Sequence, residues 1–208
     1  MRSRRRMPPL IARAAALATF GAPARARYDP GVGECRMRRL ILFRHAKTET
    51  RAPDGDDIGR RLIDRGRSDA ALMGRVLADA GFAPDLALVS PAARARETWE
   101  LIGSTFPKAK VRICPEIYDA TPEEIAAEIA AEAESGDTVM VVGHNPGLQE
   151  LAVTLVAENN GRAEDVERLS AAFPTAAAAV FAVDGHGRSE LEAIFRASDY
   201  RPGGVSNP

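Results

Sequence analysis

Cysteine, histidine and long apolar runs are all scarce in this 208-residue chain, and each shortage excludes something. The two cysteines, Cys35 and Cys114, form neither a disulfide framework nor a metal-spacing motif. A reducing compartment, the cytoplasm, is therefore the expected location. No apolar run reaches the roughly 18 residues that span a bilayer, so no membrane partner is expected. A net charge of -1 exerts no overall pull on nucleic acid or an anionic surface, which removes nucleic acid as an expected partner. Histidine occurs only at His45, His144 and His186. With so few, the surroundings of each carry weight.

A hydrophobic share of 45% and a charged share of 27% are those of a globular domain, and the length suits one such domain with a short extension. The extension is Met1 to Arg36, rich in Arg, Ala and Pro and without an acidic residue before Asp29. Read as a secretory signal, it has a basic region at Arg2 to Arg6 and a cleavage zone at Ala22 to Ala26, but Arg13 and two prolines interrupt the apolar middle. A basic arm for nucleic acid is another reading. The favoured expectation is that the functional protein begins at Met37, with residues 1–36 an over-extended start or a disordered tail and residues 37–208 the domain.

Within that domain, Leu40-Ile41-Leu42-Phe43 is an apolar, β-prone run that stops at Arg44-His45, as a buried parallel strand does when it delivers side chains into a crevice. A polar loop with Pro53, Gly55 and Gly59 follows. Asp64 is placed to cap a helix running to about Ala80 and ended by Gly81. Leu86 to Val89 reads as a second strand, Pro91 to about Ser104 as a helix, Val111 to Ile113 as a third strand, and Thr121-Pro122-Glu123-Glu124 as a capped helix start. Thr138 to Val142 is the most strand-like run. It leads to Gly143-His144-Asn145-Pro146-Gly147 and a helix from Leu148 to about Glu158. A short helix from Ala163 to Ser170 and a hairpin flanking Asp184-Gly185-His186-Gly187 complete the chain, with His186 exposed in the turn. Strands alternating with helices predict a three-layer α/β/α sandwich whose mostly parallel sheet is closed by an antiparallel edge hairpin.

In such a sheet, ligands bind beyond the carboxyl ends of the strands. Arg44-His45, Ser90 to Arg94 and Gly143-His144-Asn145 all follow strands, so two arginines and two histidines are expected to converge on one crevice. That is an anion site suited to phosphate. Arg94 could instead make a helix-surface ion pair, and His144 alone could be a capping or core histidine.

Arg44-His45-Ala46-Lys47-Thr48, Ser90-Pro91-Ala92-Ala93-Arg94-Ala95-Arg96-Glu97-Thr98 and Gly143-His144-Asn145-Pro146-Gly147-Leu148 resemble, in order, the three signatures of the histidine phosphatase superfamily. The run Leu62-Ile63-Asp64-Arg65-Gly66-Arg67 is similar to the segment opening the first helix of its small SixA-like branch. Where the commonest signature, the RHG motif, has Gly, this chain has Ala46, and Arg61-Leu62 stands where relatives have Pro-Leu. The resemblance implies a phosphoglycerate mutase-like fold and a phosphatase with a covalent phosphohistidine intermediate. It makes His45 the nucleophile, gives Arg44, Arg94 and His144 the phosphoryl oxygens, and places Thr48 near the phosphate. Neither a metal nor another cofactor is implied.

Larger family members use a carboxylic acid after the third strand. The candidates here are Glu116 and Asp119, either of which could be a plain loop charge. An alkoxide leaving group needs a strong donor, its conjugate acid being as weak as water at about pKa 15.7, whereas a protonated phosphohistidine leaves as neutral imidazole. The absence of a recognisable acid, and of an insertion long enough to form a cap over the pocket, tilts the expected substrate toward phosphohistidine on a phosphorelay protein. A small phosphate ester is the alternative substrate, and a non-catalytic phosphate-binding module the alternative class. Oligomeric state is left open.

Overall fold

The computed structural model describes residues 36–52, 55–159 and 161–201. The readings of the first segment as a leader, an arm or a late start concern residues outside that set, apart from Arg36. The described elements are β1 (Arg39–Arg44), α1 (Asp64–Asp79), β2 (Leu86–Val89), α2 (Ala93–Gly103), β3 (Lys110–Ile113), α3 (Pro122–Ala131), β4 (Thr138–Gly143), α4 (Gly147–Glu158), α5 (Ala163–Ala171), β5 (Ala178–Val183) and β6 (Ser189–Phe195). Short 3-10 turns lie at Asp57–Gly59, Pro115–Ile117 and Ala197–Tyr200.

The sheet runs β3-β2-β4-β1-β5-β6. The first four strands in that order are mutually parallel, and β5 and β6 return antiparallel as the hairpin. Both central strands are buried on two faces, and their side chains alternate accordingly. Leu40, Leu42, Val139 and Val141 pack with Ile125 and Ile129 of α3, Leu151 and Leu155 of α4 and Leu169 of α5. Ile41, Phe43, Met140 and Val142 pack on the other side with Met73 and Leu77 of α1 and Ala95 and Ile102 of α2. This is the expected α/β sandwich of three layers. Each fully buried Leu, Ile or Phe contributes about 2 kcal/mol from burial, so β1 and β4 are gripped from both faces and their ends are fixed.

Register decides where those ends lie. Arg44 pairs with Gly143, and Val89 pairs with Val142, so β1, β2 and β4 terminate side by side. α1 and α2 leave toward one face and α3 and α4 toward the other, which opens a crevice above the strand ends.

Three boundaries differ from the sequence reading. Asp64 is the first residue of α1 and not its cap, a place taken by Ile63 without a side-chain hydrogen bond. α2 begins at Ala93 and not at Pro91, because Ala92 is still extended (φ -57, ψ 138). Gly147, read as part of the turn, is the first residue of α4. The Thr121 cap is present as a full capping box with Glu124, Gly81 follows α1 at φ +81, and His186 is exposed in the hairpin turn.

Candidate active site

The crevice floor is His45, only 7% exposed. Its Nδ1 lies 2.8 Å from the carbonyl oxygen of Ala46. A carbonyl only accepts, so Nδ1 carries the proton and Nε2 keeps a free lone pair. Burial, and after it the positive charges of Arg94, Arg44 and Arg60, pull the ring's pKa down to about 4, against the opposing effect of the Ala46 bond. At neutral pH His45 is therefore an uncharged imidazole.

His144 stands beside it, with ring centroids 5.0 Å apart. Arg94 Nε donates to its Nδ1 at 3.3 Å, which puts the His144 proton on Nε2, where it meets Ser90 Oγ at 2.7 Å. Burial first, then His45 and Arg94, hold its pKa down at about 3. Ser90 is fully buried, so its hydroxyl fixes a tautomer and a ring angle.

The second signature is consumed by positioning. Thr98 Oγ1 accepts from the backbone N–H of Ala46 at 3.0 Å and donates to the Arg94 carbonyl at 2.6 Å, tying α2 to the end of β1. Glu97 accepts from the Leu62 N–H at 2.9 Å and pairs with Arg67 at 3.2 Å, holding the start of α1. Arg94 is buried and faces the crevice, while Arg96 is exposed, as helical spacing predicts. Arg44 donates through NH1 to the Phe173 carbonyl at 2.8 Å, and Asn145 Nδ2 reaches the same carbonyl at 3.0 Å. Among the described residues, Arg44 Nε is buried without a protein acceptor, a donor suited to an anion. All four of His45, Arg44, Arg94 and His144 are thus brought together.

Thr48 is not. Its hydroxyl donates to the Arg61 carbonyl at 2.6 Å and ties the loop after β1 to itself. Glu116 is turned toward Cys114, whose thiol lies 3.5 Å from its carboxylate, and Asp119 is exposed at φ +53. Among the described residues neither hydrogen-bonds to His45, Arg94 or His144.

Three residues in the crevice escaped the sequence reading. Asp57 Oδ2 lies 2.8 Å from Arg94 NH2 and accepts from the Tyr118 hydroxyl at 3.0 Å, and its Oδ1 takes Arg60 NH1 at 2.7 Å. The Asp57 carbonyl also takes Arg94 NH1, at 2.7 Å. The Tyr118 ring stands edge-on to His144 with centroids 5.6 Å apart. Asp57 lies in the polar loop above β1, where charge gives no periodic signal. Tyr118 sits between Glu116 and Asp119, so the rule that pointed to the end of β3 found the right turn and the wrong side chains.

Asp57 does not replace the missing acid. Arg60 first, then Tyr118 and Arg94, hold its carboxyl down at about 2, so it is an anion at any working pH. Volume alone misleads as well: a cavity of about 570 Å³ lined by Val156, Asn159, Arg162 and Ser189 lies at the opposite end of the sheet and contains no histidine. Among the described residues, the side chains spaced to hold a metal ion are Cys114, Glu116 and Glu128, whose ligand atoms lie within 4.8 Å of one another. Arg112 pairs with Glu128 there at 2.7 Å and already supplies a cation.

A buried neutral imidazole with a free Nε2, ringed by two arginines and a second histidine at a strand end, defines an enzyme built for phosphoryl groups. Residues 40–121 match the family model of the histidine phosphatase superfamily, branch 1. An uncharacterised protein of Mycobacterium tuberculosis is 38% identical over 145 residues, covering 69% of this chain and 89% of its own. A candidate phosphohistidine phosphatase SixA from Agrobacterium tumefaciens superposes with a TM-score of 0.67 at 33% identity, covering 77% of this chain and 98% of that one. Phosphoglycerate mutase from Plasmodium falciparum shares the fold, with a TM-score of 0.53 at 18% identity over 79% of this chain and 93% of that one.

The chain belongs to the histidine phosphatase superfamily. Within it, its place is the SixA-like branch, and the activity that goes with this is that of a phosphatase. Its signature reads Arg44-His45-Ala46, with Ala46 fully buried where the commoner form has Gly.

Proposed function

We propose that the protein removes phosphate from phosphohistidine, carried by a phosphorelay protein in the cytoplasm, through a phosphoryl group held transiently on His45. The observation that carries this reading is the pairing of the Asp57 carboxylate with Arg60, Arg94 and the Tyr118 hydroxyl, which favours its ionised form. Among the described residues, the carboxylate that reaches the crevice is held in its ionised form, which favours a substrate whose leaving group departs without a proton. A phosphohistidine ring protonated on its free nitrogen does so.

In the first step the His45 Nε2 lone pair forms a bond to phosphorus, the bond from phosphorus to the substrate nitrogen breaks, and its electron pair stays on that nitrogen. The substrate ring departs as neutral imidazole, keeping the proton on its other nitrogen. His45 becomes a phosphorylated imidazolium whose Nδ1 proton is already bound to Ala46. Water then attacks phosphorus, the bond from phosphorus to Nε2 breaks, both water protons remain on the phosphate, and His45 returns to its neutral form. Arg44 and Arg94 hold the phosphoryl oxygens in both steps, and His144 sets the orientation of Arg94.

The test is phosphate release from a phosphohistidine-bearing protein and from para-nitrophenyl phosphate, with wild type and His45→Ala. Preferred turnover of the phosphohistidine, reduced at least 10³-fold by the substitution, is expected for loss of a covalent nucleophile. Undiminished turnover in His45→Ala would sink the mechanism. Efficient cleavage of the aryl ester alone would make the protein a small-ester phosphatase.

A further inference from the structure

The transfer steps above give the Asp57 carboxylate no role beyond being unable to donate a proton. We propose that Asp57 is the specificity-determining residue of the pocket: its carboxylate binds the protonated nitrogen of the departing ring and so selects a phosphoimidazolium over a phosphate ester. This rests on the phosphohistidine reading and names how that substrate is told apart.

Position is the first argument. His45, Arg94 and His144 are each 7% exposed and form the floor, whereas half of the Asp57 side chain is in solvent. Attack by a nucleophile at the floor expels the leaving group on the far side of phosphorus, toward the mouth. Asp57 sits at that mouth, one Arg94 guanidinium away from His144.

Valence is the second. A carboxylate offers about four acceptor positions. Among the described residues, Asp57 uses two on Oδ2, for Arg94 and Tyr118, and one on Oδ1, for Arg60, which leaves one on Oδ1. An imidazolium N–H is a single charge-assisted donor that fits this vacancy in the acceptor set. The same three donors fix the carboxylate in place before substrate arrives, so little ordering remains to be done on binding.

Charge is the third. The departing group of an ester carries developing negative charge, which a fixed anion at the mouth opposes, whereas a phosphoimidazolium arrives with a positive ring, which it attracts. One carboxylate thus favours one substrate class and disfavours the other.

The experiment measures kcat/KM for a phosphohistidine-bearing protein and for para-nitrophenyl phosphate in wild type, Asp57→Asn and Asp57→Ala, and follows their ratio. A fall in the phosphohistidine-to-ester ratio of tenfold or more in either variant supports the proposal. Parallel losses on both substrates, with the ratio held, would mean that Asp57 only places Arg94. That result overturns the proposal and leaves the phosphohistidine reading intact. Wild type that cleaves the ester but not the phosphohistidine overturns both. The two variants differ in what they leave behind at Arg94, so a folding failure of one leaves the other to decide.

Discussion

At the residue scale, the site is governed by two histidines kept neutral. Both have folded-state pKa values below the ordinary value near 6.5, at about 4 for His45 and about 3 for His144. An unfolded chain therefore takes up protons that the native state refuses as pH falls below about 6.5. The resulting stability is fully present above that pH and is lost on descending toward 4, by up to about 3 kcal/mol for His45 alone. The melting temperature of the phosphate-free protein should fall steadily between pH 6.5 and 4, with a shallower slope in His45→Asn. A melting temperature level across that range would contradict neutral burial. The two histidines and two arginines were legible in the sequence because each lies at or within a few residues of the C-terminal end of a strand, and the sheet converts sequence position into spatial position. Asp57, Arg60 and Tyr118 were not, because loop side chains are placed by contacts such as the Tyr118 hydroxyl on Asp57, 61 residues apart in the chain.

At the element scale, the crevice depends on two close backbone approaches. A Cβ on Gly66 of α1 would lie 2.0 Å from the Lys47 carbonyl oxygen, and one on Gly147 of α4 would lie 2.1 Å from that of Ala120. Both neighbours are backbone, so the helix itself must move. Gly66→Ala pushes α1 off the segment that follows His45, and Gly147→Ala pushes the start of α4, together with the turn that carries His144, away from Ala120. Overpacking of this kind costs about 1–3 kcal/mol, and a shift near 1 Å in a transfer site costs about 10² in rate. A fair comparison is Asp85→Ala at the opposite end of the sheet, where Asp85 Oδ2 accepts from the N–H groups of Asp137 and Thr138 at 2.9 Å each. It should lose similar stability, about 1–3 kcal/mol for unpaired backbone donors, with kcat retained. If kcat drops equally in all three variants, the glycines have no special hold on the site. The strands and helices themselves could be read from periodicity, which burial on two faces enforces. The exact start of α2 could not, because Ala92 stays extended (φ -57, ψ 138) after the Ser90-Pro91 start signal and no periodic pattern marks that.

At the scale of the whole molecule, the question is how the segment after β6 is joined to a domain whose proposed catalytic residues all lie before α4. The answer is a buried carboxylate on α1. Asp69, 3% exposed, takes both Arg201 nitrogens, at 2.9 and 2.6 Å, and Arg65 at 3.2 Å. Arg201 thus ties the segment after β6 back onto α1, the helix that also packs against Lys47 beside the nucleophile. Removing one partner of such a pair leaves a buried charge underpaired, which costs more than a surface ion pair is worth. Arg201→Ala should therefore destabilise the protein by about 1–3 kcal/mol, while Asp69→Asn with Arg201→Ala together should cost less than the sum of the two. Chemical denaturation of Arg201→Ala, Asp69→Asn and the double variant beside the full chain measures this, and strictly additive losses would mean that Asp69 and Arg201 act independently.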